Sequence, residues 1–316
     1  MTRRKGRVGR EQELRSLASD PAAQTTLALS IITGDRDTLN LRAALVVLQS
    51  HPVNGAREVL LESFAFYASD GVRRDAGTYL RAAILNALRP VASAADLPLL
   101  EKAAATYEYL PPGRSEEAVL LRSTALVLLN ELDGRLGALH AVRLLADRHT
   151  SPLSGEPALT AVRVLAAGER FEPLYYYSLH QTPPQSDVLS ECLRCLSPLP
   201  DTLRQELMEK YGTTDDEVIL VGLLDMVLDS RDSSGFIAAF LSRTRHLAVY
   251  RYLVTRLVAA HQEPWLAELE RQSGTENDPA KLTILEDALA LGRDDPSIHR
   301  ALAAVRRRRR TAAKAP

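Results

Sequence analysis

The sequence predicts an all-α protein built from stacked helical hairpins, and three observations carry that prediction. Leu and Ala supply 53 and 43 of the 316 residues, about 30% of the chain, and they are the two strongest apolar helix formers. Strand formers are scarce: there are 7 Ile and 16 aromatic residues, and few of the Val-, Ile-, Thr- and aromatic-rich runs that a sandwich, a barrel or a doubly wound sheet needs. The third observation is a repeat. Leu41-Arg42, Leu80-Arg81 and Leu121-Arg122 lie 39 and 41 residues apart, each followed by small residues and an apolar i, i+3, i+4 series, and Val162-Arg163 comes 41 residues later.

After each of these helices a short turn leads to a second, more polar amphipathic segment. A first helix at 11–19 is followed by Asp20-Pro21, an N-cap with proline at the first helical position, which opens 21–33. Helices at 39–50 and 54–68 are divided at Asn54-Gly55. Next come 73–89 with 94–109, then 115–132 with 135–148, punctuated by Gly113 and Gly134. Gly155 precedes 156–168 with 171–180, and Gly212 follows 186–196 with 201–211. Thr214-Asp215-Asp216-Glu217 matches a capping box and opens 215–229, paired with 234–243 at Gly235. The pair 246–261 and 264–273 ends at Gly274, and Asp278-Pro279 and Asp295-Pro296 open 279–291 and 296–309. A single hairpin cannot bury its own apolar face, so the expectation is one continuous stacked domain over 11–305.

The net charge of −1 conceals an asymmetry. Residues 1–10 carry Arg3, Arg4, Lys5, Arg7 and Arg10, residues 300–316 carry seven basic groups, and neither segment holds an acid. Residues 11–299 keep 27 basic against 40 acidic groups. Arms at 1–10 and 306–316 are expected to be disordered, because Lys, Arg, Ala and Pro without larger apolar residues supply no core. Basic arms can grip phosphate or an anionic surface, or fold back onto an acidic body.

The stretch from Leu80 to Leu88, Leu-Arg-Ala-Ala-Ile-Leu-Asn-Ala-Leu, followed by Ala95-Asp96-Leu97-Pro98-Leu99-Leu100-Glu101-Lys102-Ala103, resembles a HEAT-type repeat. That family carries Arg-Ala-Ala and a later Ala-x-x-Leu in the first helix, and an acidic residue before Pro-Leu-Leu in the second. Ala permits close helix approach, Leu fills the seam, and Asp-x-Pro caps and begins the second helix. The resemblance covers 80–103 well, 41–66 and 121–146 fairly, and is degenerate from 185 onward. It implies a right-handed α-solenoid of eight to nine helical hairpins, a scaffold or adaptor whose ligand is another macromolecule.

Candidate binding residues fall in three places. Between Ser233 and Gln262 there is no acidic residue, and Arg243, Arg245, Arg251 and Arg256 are all present in a body that is otherwise acidic. At 100 degrees per residue Arg245 and Arg256 lie about 20 degrees apart, with Tyr252 on the same stripe. With Arg306, Arg307, Arg308, Arg309 and Arg310 they form a candidate phosphate or nucleic-acid surface; the alternative is a solvated face paired with Asp225, Asp229 or Asp232. Tyr175, Tyr176 and Tyr177 fan over about 200 degrees of a helix, so at least one must leave the core and can anchor a partner. Tyr107 and Tyr109, beside Pro111-Pro112, are similar and weaker.

For chemistry the sequence offers little. Cys192 and Cys195, the two cysteines, share one helical face and read as small buried hydrophobes rather than as a redox pair. No phosphate-binding loop, nucleophile elbow, zincin or dinucleotide fingerprint occurs, and the seven histidines never pair at ligand spacing. No enzyme activity, cofactor or metal is expected. No apolar run approaches the ~20 residues of a membrane span, and the basic start leads into Glu11 and Glu13, so a cytoplasmic protein without membrane insertion is expected. The expected partner is another protein bound in the groove; the alternative is nucleic acid, and an enzyme with a dispersed groove site ranks third.

Overall fold

The computed structural model describes residues 9–112, 115–182, 185–228, 234–292 and 296–312. Arg3, Arg4, Lys5, Arg7, Gly113, Asp229, Asp232, Ser233 and Asp295, all named above, lie outside the described residues, as does the end of the C-terminal arm from 313. The structure is all-helical, with one two-stranded hairpin among the described residues. Two compact units divide the chain, Met1–Arg170 and Phe171–Pro316. No helix of the described residues is long and apolar enough to cross a membrane.

The first unit holds α1 (Arg10–Ser16), α2 (Pro21–Gly34), α3 (Thr38–Ser50), α4 (Ala56–Ala68), α5 (Gly71–Arg74), α6 (Tyr79–Leu88) and α7 (Leu97–Ala104). After α7 come the antiparallel strands β1 (Tyr109–Leu110) and β2 (Ser115–Glu116), then α8 (Val119–Leu132), α9 (Gly134–Leu145) and α10 (Ala158–Ala167). Helices α1, α3, α6, α8 and α10 pack in succession as one row, and α2, α4, α7 and α9 cover it. The residues that open each repeat explain the row. Leu41, Leu80, Leu121 and Val162 are all buried, and the three leucines belong to one continuous core cluster.

The second unit holds α11 (Phe171–His180), α12 (Ser186–Cys195), α13 (Asp201–Tyr211), α14 (Glu217–Leu228), α15 (Ser234–Arg243), α16 (Leu247–Ala260), α17 (Glu263–Thr275), α18 (Pro279–Leu291) and α19 (Pro296–Ala312). Here α12, α14, α16 and α18 form the row, while α15, α17 and α19 pack in succession on the other side. One close approach in this unit is built on a missing side chain: a Cβ placed on Gly222 of α14 would sit 2.6 Å from Ser190 Cα of α12.

Several polar contacts between neighbouring repeats fall at similar offsets. In the first unit Arg57 Nη2 donates to Asp96 Oδ1 at 2.6 Å, 39 residues on, and Tyr107 and Tyr109 meet Asp147 and His149 at 3.1 Å, each 40 residues on. In the second unit some offsets are shorter, with Arg194 Nε reaching Asp225 Oδ2 across 31 residues and Gln272 Nε2 reaching Ser242 Oγ across 30, while Lys281 Nζ reaches Leu241 O across 40. The 39- to 41-residue spacing seen in the sequence thus returns in several contacts of the first unit.

Local details differ from expectation at several points. The helix expected from 73 begins at Tyr79, because Gly77 and Thr78 both take positive φ and Asp75 accepts from the Leu80 and Arg81 amides. The helix expected to run to 109 ends at Ala104 and gives way to the β1–β2 hairpin. Asp20 and Asp278 cap α2 and α18 with proline at the first position. At α14 it is Asp216 that accepts from the Val218 and Ile219 amides, whereas Thr214 Oγ1 accepts only from the Asp216 amide, so the expected box does not close. Asp96 turns away from α7 to accept from Ser93 N and from Arg57. The basic run Arg306, Arg307, Arg308, Arg309 and Arg310, expected in a disordered tail, continues α19.

Candidate functional site

The arginine stripe is divided by where its helix begins. Thr244 N donates back to Phe240 O and His246 N to Thr244 Oγ1, so α16 starts only at Leu247 and Arg245 stands outside it. Arg245 lines a pocket between α13 and α15 instead. On α16 proper, Tyr252 and Arg256 turn to the same carboxylate of α14: the Tyr252 hydroxyl donates to Asp225 Oδ1, and Arg256 Nη2 stands 3.9 Å from that atom. Arg194 of α12 takes the other oxygen at 2.8 Å. Burial and the Asp225 hydrogen bond together push the Tyr252 phenol up to about 12. Arg251 faces Asp287 of α18 at 3.6 Å. Partnered in this way, the α16 arginines offer less free charge to phosphate than the sequence suggests.

Three of the C-terminal arginines are engaged as well. Arg306 Nε and Arg309 Nη1 converge on the two oxygens of Glu286 in α18, and Arg308 Nη2 donates to Thr275 O at the end of α17 and to Asn277 Oδ1 just beyond it. The two guanidinium groups hold the Glu286 carboxyl below the usual carboxylate range, chiefly through the Arg309 hydrogen bond.

The three tyrosines of α11 point in three directions, as consecutive helical positions must. Tyr177 is buried, and burial pushes its phenol up to about 12. Tyr175 is half-buried with its hydroxyl donating to Glu206 of α13, a bond that raises it to about 12. Tyr176 is 66% exposed, its ring 4.5 Å from the His180 ring. Beside it, α11 and the chain entering α13 enclose a groove of about 500 Å3 lined by Phe171, Tyr175, Leu179, Leu199 and Leu203. An exposed ring next to an apolar concavity is the anatomy of a contact anchor.

Sequence reasoning missed a second surface, on the first unit. Arg81 and Arg122, the repeat-marking arginines, are buried. Arg81 Nη1 and Nη2 take both oxygens of Glu108 at 2.6 and 2.7 Å, and its Nε reaches Asp75 at 3.0 Å. Arg122 pairs with Glu116 at 2.8 Å, donates to Thr106 O and His149 O, and stacks its guanidinium 4.3 Å from the centre of the Tyr107 ring. Its contact with Asp147, at 3.4 Å from Nε, is an ion pair without hydrogen-bond alignment. These two cations pin the long connections after α7 and α9, so that Tyr107, Tyr109 and Leu153 project into solvent. The available signal was the pairing of each Leu-Arg with acids in the following connection; Arg42 and Arg163, at the same repeat position, are exposed.

Cys192 is buried and Cys195 half-buried on α12, and burial pushes the Cys192 thiol up, away from the reactive thiolate. Among the described residues no group of three His, Cys, Asp or Glu side chains is arranged to hold a metal ion. A scan against protein-family models and searches of curated proteins and of solved structures give no significant match.

Proposed function

We propose that this chain is a non-catalytic binding scaffold, a right-handed HEAT-like α-solenoid of eight to nine helical hairpins that engages a protein partner. The repeat part of this reading is supported by the two helix rows and by polar contacts that recur at offsets of 39 to 40 residues in the first unit. The binding part is carried by one observation: Tyr176 stands exposed beside a largely apolar groove of about 500 Å3 on α11 and α13. Tyrosine offers contact area at small entropic cost, and an apolar concavity next to it can take a partner side chain.

The test compares the wild-type chain with Tyr176→Ala and Leu199→Asp as baits after chemical crosslinking in cells. A protein crosslinked to the wild type and lost from both variants supports the reading; equal recovery by all three baits opposes it. Duplex and single-stranded DNA and RNA, titrated at about 50 mM and about 200 mM salt, test the nucleic-acid alternative. Strongly salt-dependent binding that disappears when 306–316 is deleted would displace the protein-partner reading.

A further inference from the structure

The pocket that Arg245 lines has a chemistry of its own. It measures about 430 Å3, within the range of small-molecule sites, and is bounded by the end of α13, the Gly212–Asp215 turn, one face of α15 and the residues leading into α16. Its floor is apolar: Leu220, Phe236, Ala239 and Phe240, with the two phenylalanine rings stacked 6.4 Å apart. Its rim is charged, with Arg243 and Arg245 beside His246, Glu209 and Asp215.

The charges on that rim are unequally committed. Glu209 accepts from Gln205 Nε2 at 3.1 Å. Asp215 stands 3.7 Å from His246 Nε2, and the other ring nitrogen stands 3.4 Å from Glu217. Arg243 and Arg245, by contrast, make no ion pair or side-chain hydrogen bond with any described residue, although both are exposed over the apolar floor. Elsewhere in this unit arginines find carboxylates, as Arg194, Arg251, Arg256, Arg306 and Arg309 do. We infer that this pocket binds a small amphipathic carboxylate, its aromatic or branched apolar group on the Phe236–Phe240 floor and its carboxylate held by Arg243 and Arg245. A guanidinium fork matches the two oxygens of a carboxylate, and one negative charge suits a rim that already carries two acids. This site is separate from the α11–α13 groove and stands whether or not that groove binds a protein.

Isothermal titration calorimetry of the full chain with phenylbutanoate, phenylbutanol and acetate tests the assignment. The acid binds saturably at one site, the alcohol about tenfold more weakly, and acetate without saturation, because charge and floor are both needed. The double variant R243Q/R245Q alters two exposed side chains; it lowers acid affinity about tenfold and leaves the alcohol unchanged. Ala239→Leu fills the floor and abolishes binding of both, with a thermal melt confirming that the variant is folded. Absence of saturable acid binding, equal affinity for acid and alcohol, or unchanged acid affinity in R243Q/R245Q would each overturn the assignment.

Discussion

Arg122 Nη1 lies 2.8 Å from Glu116 Oε2, and both side chains are buried at the root of the β1–β2 hairpin. The same guanidinium reaches the connections on both sides of α8 and α9, through Thr106 O and His149 O. A residue that marks the repeat in sequence thus serves in space as the anchor of two loops.

Removing that cation leaves Glu116 and Asp147 buried without a positive partner. Arg122→Met therefore lowers unfolding stability by about 3 to 5 kcal/mol, read from the denaturant midpoint. Arg42→Met, at the equivalent but exposed repeat position, stays within about 0.5 kcal/mol of wild type. Equal losses at the two positions would show that the burial difference carries no energy.

Gly222 and Gly235 form a second contrasting pair. Gly222→Ala drives a methyl group into the Ser190 backbone and costs about 1 to 3 kcal/mol as α12 and α14 move apart. Around Gly235, near the start of α15, nothing lies within 4 Å of an added Cβ, so Gly235→Ala is neutral or stabilising by up to about 1 kcal/mol. Thermal melts of the two variants check both signs.

The clasp between α18 and α19 depends on pH in a defined direction. Glu286 has a depressed carboxyl in the folded chain, so its contribution is fully present above its ordinary value of 4.5 and is lost as pH falls below it through the folded value. Amide exchange in 306–310 accelerates over that window in the wild type and is already fast, and flat with pH after correction for intrinsic exchange, in Glu286→Gln. The partners are partly exposed, so global stability changes by no more than about 1 kcal/mol.

Much of the architecture was legible in the sequence because it is local or periodic. Leu41, Leu80 and Leu121 announce the row by spacing alone, and Asp20-Pro21 and Asp278-Pro279 announce helix starts by capping chemistry. What could not be read is set by distant partners. Glu108 looks like one more helical residue until Arg81, 27 positions earlier, claims both its oxygens and draws the chain out of helix. Arg245 falls on a helical stripe by arithmetic, but the Thr244 hydroxyl accepts from the His246 amide before α16 begins, which moves Arg245 to a pocket rim. The Tyr175 to Tyr177 fan was legible in angle; which ring would be exposed depended on Glu206 and on the core beneath α11.

Tyr176 should separate binding from folding. Its ring is largely exposed, so Tyr176→Ala leaves stability within about 0.5 kcal/mol of wild type, whereas Leu174→Ala, buried two residues earlier on the opposite side of α11, costs about 2 to 5 kcal/mol.

The most direct measurement of the scaffold proposal is the affinity of a crosslinked partner, purified and titrated against wild type and Tyr176→Ala. A loss of about tenfold or more in the variant, at unchanged stability, is the result expected of a protein that binds through the α11–α13 groove. Equal affinity for the two chains would contradict it.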